Sequence, residues 1–109
     1  MTESTTSRKI VRLPAFERWF GKLRDARARF AIDQRLNRLR KGNFGDVRGM
    51  GDRVSELRID TGPGYRVYFT IVGDAIIVLL CAGDKTSQPR DIALAKTLAA
   101  TAEEIVNGR

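Results

Sequence analysis

The sequence predicts an α+β domain, with two N-terminal helices packed on a twisted, mostly antiparallel sheet of four or five strands and a C-terminal helix closing the chain. Three observations predict it. Residues 54–82 hold short runs of strand-forming residues separated by Gly- and Asp-containing turns, as hairpin-connected strands require. Phe16, Trp19, Phe20 and Leu23 recur at i, i+3, i+4 and i+7, the spacing of an amphipathic helix. The element order β-α-α-β-β-β-β-α implies a mostly antiparallel, twisted sheet backed by helices.

Residues 8–13 form a short strand stopped by Pro14, which suits a first helical turn because its missing N–H has no partner there anyway. The aromatic stripe of the helix that follows is core, Trp19 included. Asp25 caps a second helix over 26–41, where Ile32, Leu36 and Leu39 line one face and Arg27, Arg35, Arg38 and Lys41 decorate others. Gly42-Asn43 ends it. Phe44-Gly45-Asp46 turns the chain into a weak strand over 47–50, and Gly51-Asp52 leads by a hairpin into 54–60. Turns at 61–64 and at Gly73-Asp74 bound a strand over 65–71. Residues 75–82, AIIVLLCA, show no alternation and read as a central strand covered on both faces. Residues 83–89 form a loop. The closing helix, 91–106, has Ile92, Ala95, Leu98, Ala99, Ala102 and Ile105 on one side.

At 109 residues the chain makes one domain over 8–109, preceded by a flexible polar tail over 1–7 that lacks a signal-peptide core. No apolar run approaches the roughly 20 residues that span a bilayer, so no membrane association is expected. The lone Cys81 lies in the apolar run and reads as a small buried hydrophobe, in keeping with a reducing cytoplasm. The chain has no histidine, which removes the commonest general acid–base and the commonest metal ligand. A structural zinc site is excluded, and neither metal nor cofactor is expected.

The net charge of +7 is unevenly placed. Residues 8–41 hold 12 Lys/Arg against 3 Asp/Glu, whereas 59–109 hold 5 against 6. A basic N-terminal half suits a polyanionic partner, unless it is only a solvated helical face. Within the sheet, Tyr65, Val67, Phe69 and Ile71 alternate with Arg66, Tyr68 and Thr70, while Leu57 and Ile59 alternate with Glu56 and Arg58. If the apolar sets share one core, Arg58, Arg66 and Tyr68 rise from the opposite, open face, with Lys85 ending the next strand nearby. Such a face suits RNA.

The combination Trp19-Phe20…Leu23-Arg24-Asp25, Gly42-Asn43-Phe44-Gly45-Asp46, Ser55-Glu56-Leu57-Arg58, Gly62-Pro63-Gly64-Tyr65-Arg66-Val67-Tyr68-Phe69 and Gly83-Asp84-Lys85 resembles the RelE/ParE toxin superfamily. More narrowly, it is similar to the HigB-like "addiction module killer" branch of bacterial type II toxin–antitoxin systems. The resemblance implies a RelE-like fold and a toxin that cleaves messenger RNA with ribosomal assistance. The ParE branch would imply a gyrase inhibitor instead, and a copy that only binds its antitoxin is a third possibility. The resemblance also implies a helix-turn-helix antitoxin as partner, and operator DNA bound through the complex. By the same resemblance, Arg58 contacts the scissile phosphate, Lys85 is the basic residue after the last core strand, and Arg66 and Tyr68 belong to the shared G-Y-R-x-Y segment. RelE's late tyrosine has no counterpart, since no tyrosine follows Tyr68.

Metal-free RNA cleavage needs the attacking 2′-hydroxyl deprotonated, the phosphorane charge stabilised and the leaving 5′-oxygen protonated. Arg58 and Arg66 suit the second task, because a guanidinium fork matches phosphate oxygens and stays charged. Lys85 is the candidate for either proton step, and Tyr68 for base stacking or proton relay. A cross-strand pair with Glu56 or Asp60 is the competing role for Arg66. Arg27, Arg35, Arg38 and Lys41 are expected to grip ribosomal or messenger RNA, or an acidic antitoxin.

Overall fold

The computed structural model describes residues 7–107, so nearly all of the expected tail lies outside the described residues. The elements are β1 (Lys9–Arg12), α1 (Pro14–Lys22), α2 (Ala26–Arg40), β2 (Val47–Gly51), β3 (Val54–Ile59), β4 (Tyr65–Val72), β5 (Ile76–Asp84), a 3₁₀ turn (Lys85–Ser87) and α3 (Gln88–Asn107). Local chemistry explains their bounds. Pro14 opens α1. The Asp25 carboxylate accepts hydrogen bonds from the N–H groups of Arg27 (3.0 Å) and Ala28 (3.1 Å), capping α2. The β2–β3 hairpin turns through Asp52 and Arg53, both at positive φ, the backbone that matches strand twist in a tight hairpin.

The fold is α+β, but the expected sheet is corrected on two counts. The five strands run in the order β1-β5-β4-β3-β2, and β1 pairs with β5 in parallel, so the sheet is mixed. The helical hairpin between β1 and β2 is long enough to carry the chain across the sheet, which lets β1 dock on β5 at the far edge. The second correction matters more for function: no open face remains on the central strands. One face carries α1 and α2, through Phe16, Phe20, Ile32, Leu36 and Leu39 against Leu57, Val67, Phe69, Ile77 and Leu79. The other carries α3, whose Ala95 and Ala102 pack against Val54, Tyr68, Val78, Leu80 and Cys81. Small side chains let the helix come close to the sheet and bury Arg66, Tyr68 and Thr70, which the alternation had assigned to solvent, while Arg58 stays part-exposed at the sheet end.

Three smaller differences go with this packing. A bulge against Tyr68 and Phe69 of β4 gives β5 an extra residue, so that Leu80 and Cys81 both meet α3. The segment read as a loop over 83–89 is instead the end of β5, the 3₁₀ turn and the start of α3. Ile105, placed on the packed side of the closing helix by sequence, is half exposed, and Val106 takes that position. Among the described residues, no helix is long and apolar enough to cross a membrane.

Candidate functional site

The C-terminal ends of β3 and β5 meet the N-terminal end of β4 at one end of the sheet, where they frame a cleft of about 310 Å³. Arg58, Arg66 and Lys85 line it together with Asp46, Asp60 and the 62–65 turn. The strand register explains the convergence. Arg58 lies opposite Arg66, and Tyr65 opposite Asp84, so the three cations gather although the sequence spreads them over three segments. Two like charges placed directly opposite each other repel. Something must therefore offset them.

Glu56 does so. It lies on the same side of β3 as Arg58 and is 1% exposed. One of its oxygens, Oε2, accepts from the Tyr68 hydroxyl (3.1 Å) and from Gln88 Nε2 at the start of α3 (2.8 Å). The same oxygen lies 3.6 Å from Arg66 Nε, and Oε1 lies 4.0 Å from Arg58 Nε. The cross-strand pairing open to Arg66 is thus realised with Glu56. At 3.6 Å, Arg66 Nε is ion-paired but makes no hydrogen bond, while its Nη1 donates to the Gly64 carbonyl at 3.3 Å.

Tyr68 does not reach the cleft. It is fully buried beneath α3, and burial, followed by the Glu56 charge, pushes its phenol well above the usual tyrosine range. It is a permanent donor to Glu56 rather than a proton relay or a stacking surface. Tyr68→Phe is therefore expected to cost about 1.5–3 kcal/mol of stability, the worth of a hydrogen bond to a charged group, and to leave anion affinity in the cleft unchanged. Denaturant titration and phosphate binding read the two effects separately. Lost affinity at unchanged stability would return the phenol to the site.

Lys85 is exposed at the cleft margin on a well-built turn. The Asp84 carboxylate accepts from the Thr86 hydroxyl (2.6 Å), Thr86 N–H (2.9 Å) and Ser87 N–H (3.3 Å), and the Ser87 hydroxyl accepts from Asp84 N–H (3.3 Å). This is a reciprocal capping box. The Thr86 side chain and then its N–H hold Asp84 below the ordinary carboxylate range, so the turn keeps its charge near neutral pH. Cys81, by contrast, is buried, and its thiol is pushed up to about 12 by burial and then by Asp91. It stays protonated and takes no part.

The basic helix divides. Arg27, Arg38 and Lys41 are exposed. Arg35 is not a surface contact: its Nη1 donates to the Arg58 carbonyl at 2.7 Å and its Nη2 to the Phe44 carbonyl at 3.1 Å, tying α2 to the cleft wall. Gly45, at φ +68°, leaves room for that fork, since a Cβ there would lie 2.8 Å from Arg35 Nη2. Burial lowers the pKa of Arg35, with the neighbouring Arg38 adding to the shift and Asp46 opposing it. Other cations of the basic half are also internal staples. Arg29 caps the Phe20 carbonyl at 2.6 Å and lies 4.3 Å over the Phe20 ring, and Arg12 lies over Phe16 and Phe20 at 5.5 and 5.4 Å.

Sequence reasoning passed over Asp46 and Asp60 as cleft residues. The β2–β3 register held the signal, because pairing Val47 with Leu57 brings Asp46 beside Arg58, whose N–H donates to the Asp46 carbonyl at 3.1 Å. The cleft thus combines fixed cations with two exposed carboxylates. Arg58 and Arg66 can neutralise an anion, while Lys85, Asp46 and Asp60 offer groups able to give or take a proton. Among the described residues, no cluster of three or more His, Cys, Asp or Glu side chains could hold a metal ion.

Comparison with known proteins adds kinship without chemistry. A protein of Haemophilus influenzae described as an uncharacterized protein is 48% identical over 84 residues, covering 77% of this chain and 85% of that one. No protein-family model matches the chain.

Proposed function

We propose that this chain, which belongs to one family with the Haemophilus influenzae protein, is the toxin of a type II toxin–antitoxin pair and cleaves messenger RNA without a metal. The observation that carries the reading is the meeting of Arg58, Arg66 and Lys85 in one cleft. The motif resemblance to the RelE/ParE toxins supports it independently. In this reading Arg58, with Arg66 behind it, neutralises the phosphorane as the 2′-oxygen attacks phosphorus. A carboxylate, Asp60 or Asp46, takes the 2′-hydroxyl proton, and Lys85 gives a proton to the departing 5′-oxygen. The products are a 2′,3′-cyclic phosphate and a 5′-hydroxyl. The helix-turn-helix antitoxin, the ribosome and operator DNA are the partners this reading carries.

Primer extension on translated and on naked messenger tests it. Arg58→Ala and Lys85→Ala are each expected to slow cleavage about 10²- to 10³-fold, the usual loss when one charge-stabilising donor is removed, while growth arrest is relieved. Undiminished toxicity in the double variant, with messages intact, would sink the reading. The burial of Tyr68 favours one other reading, because it leaves the cleft fewer groups for proton transfer. In that reading the cleft binds without cleaving, as in a ParE-like gyrase inhibitor, and inhibition of supercoiling by the purified protein separates the two.

A further inference from the structure

The outer face of α2 carries a feature that the cleft chemistry does not use. Phe30 is 66% exposed, the most exposed large hydrophobic side chain among the described residues. It stands on a helix rich in arginine, and its spacing from Arg27, Gln34 and Arg38 (i−3, i+4, i+8) keeps these residues along one stripe, with Lys41 just past the helix end. Beside it lies a hollow of about 430 Å³ bordered by Phe30, Gln34, Arg38, Ile59, Asp60 and Thr61. Ile59 and Asp60 also border the Arg58–Lys85 cleft, so the two depressions flank the end of β3 and share these residues as a common wall. Arg35 braces the boundary through its bond to the Arg58 carbonyl.

We infer that this hollow is a base-binding subsite, in which Phe30 stacks on the nucleobase adjacent to the phosphate held by Arg58 and Lys85. The inference rests on the proposed reading of the cleft as a phosphodiester site. Single-stranded nucleic acid is bound by combining aromatic platforms with cations that follow the backbone, and this stripe offers both in one line. Gln34 presents a donor and an acceptor and Thr61 a hydroxyl, suited to a base edge, while Arg38 can meet a flanking phosphate. The neighbours decide against a protein helix as the occupant. The apolar surface here is the Phe30 ring with the part-buried Ala31 and the buried Ile59 beside it, well short of the contiguous patch that anchors a protein interface. Among the described residues, the other exposed large apolar side chains, Leu94 and Ile105, are on α3, across the sheet, and do not extend it.

Binding of a short single-stranded 2′-O-methyl RNA carrying one 2-aminopurine tests the inference apart from cleavage, because the blocked 2′-oxygen cannot attack. Phe30→Ala is expected to weaken binding about 5- to 100-fold, the range for loss of one stacked base, and to abolish 2-aminopurine quenching. Phe30→Tyr keeps both. Affinity for inorganic phosphate and the salt dependence of oligonucleotide binding stay at wild-type values in both variants, since no cation is removed. An unfolding midpoint equal to wild type shows that the exposed substitution leaves the fold intact. If Phe30→Ala binds the oligonucleotide like wild type while Arg58→Ala does not, the stacking site is wrong and the cleft reading stands. If stacking depends on Phe30 but no messenger is cut, the subsite stands and the cleavage reading falls. If Phe30→Ala loses affinity for the antitoxin alone, the stripe is a protein-docking surface and the inference is overturned.

Discussion

Glu56→Ala is expected to remove about 3–5 kcal/mol of unfolding free energy, the usual cost of deleting one partner from a buried ion pair. The carboxylate is 1% exposed and is the shared acceptor for Tyr68 and Gln88 as well as the counter-charge for Arg66. Alanine leaves a guanidinium that is only 5% exposed facing a cavity, with two donors lacking their acceptor. At roughly 4 °C per kcal/mol for a domain of this size, the melting temperature should fall by about 12 °C or more. Guanidinium titration followed by circular dichroism checks it, and a loss below about 1 kcal/mol would show that the network is not the centre of this face. Glu56→Gln separates shape from charge: it preserves an acceptor for Tyr68 but leaves Arg66 and Arg58 opposed without compensation. Its stability should lie between the other two proteins. A triple replacement, Glu56→Leu with Arg66→Met and Tyr68→Phe, is expected to recover most of the stability, because buried ion pairs are commonly replaceable by apolar residues. It would lose the cleft all the same, which separates what holds the sheet from what the cleft does.

That network also explains what was and was not legible in the sequence. The period-two pattern correctly separated Tyr65, Val67, Phe69 and Ile71 from Arg66, Tyr68 and Thr70. It could not reveal which side stays open, because alternation records polarity and not solvent contact. A polar face can be buried if its groups satisfy one another, and Glu56 makes that possible for Tyr68, Arg66 and Gln88. The clue that existed was the Ala-rich side of α3, whose Ala95 and Ala102 are too small to serve as an ordinary core and so need close approach to a sheet. The parallel docking of β1 on β5 left no local trace, since a four-residue strand does not encode its partner. The convergence of Arg58, Arg66 and Lys85 was readable because hairpin register depends on turns that the sequence marks plainly. Arg35 was misjudged for the opposite reason. Position on a basic helix says nothing about reach, and its fork closes on the Arg58 and Phe44 carbonyls instead of opening to solvent.

The joint between β5 and α3 yields the second large effect. Gly83 pairs with Arg66 in the sheet, and a Cβ built on it falls inside 3 Å of both Asp91 Oδ2 and Ser87 Oγ, closer than real Cβ atoms come. Asp91 cannot readily move aside. It is short and 7% exposed, its carboxylate accepts from the Ser87 hydroxyl, and its carbonyl accepts from Cys81 Sγ at 3.4 Å. Gly83→Ala must therefore push the first turn of α3 off the sheet or strand a buried carboxylate, at about 2–4 kcal/mol. The displacement bears on the site as well, because Ser87 also belongs to the capping box that fixes Lys85 beside the cleft. Loss of stability and loss of anion affinity should appear together in this variant, unlike in Tyr68→Phe. Asp91→Ala tests the cause. If the clash is responsible, the Gly83→Ala/Asp91→Ala pair will be less damaged than the sum of its members, with a coupling of about 1 kcal/mol or more in a double-mutant cycle. Strict additivity, or a wild-type unfolding midpoint for Gly83→Ala alone, would mean that the close approach of helix and strand is not what this glycine provides.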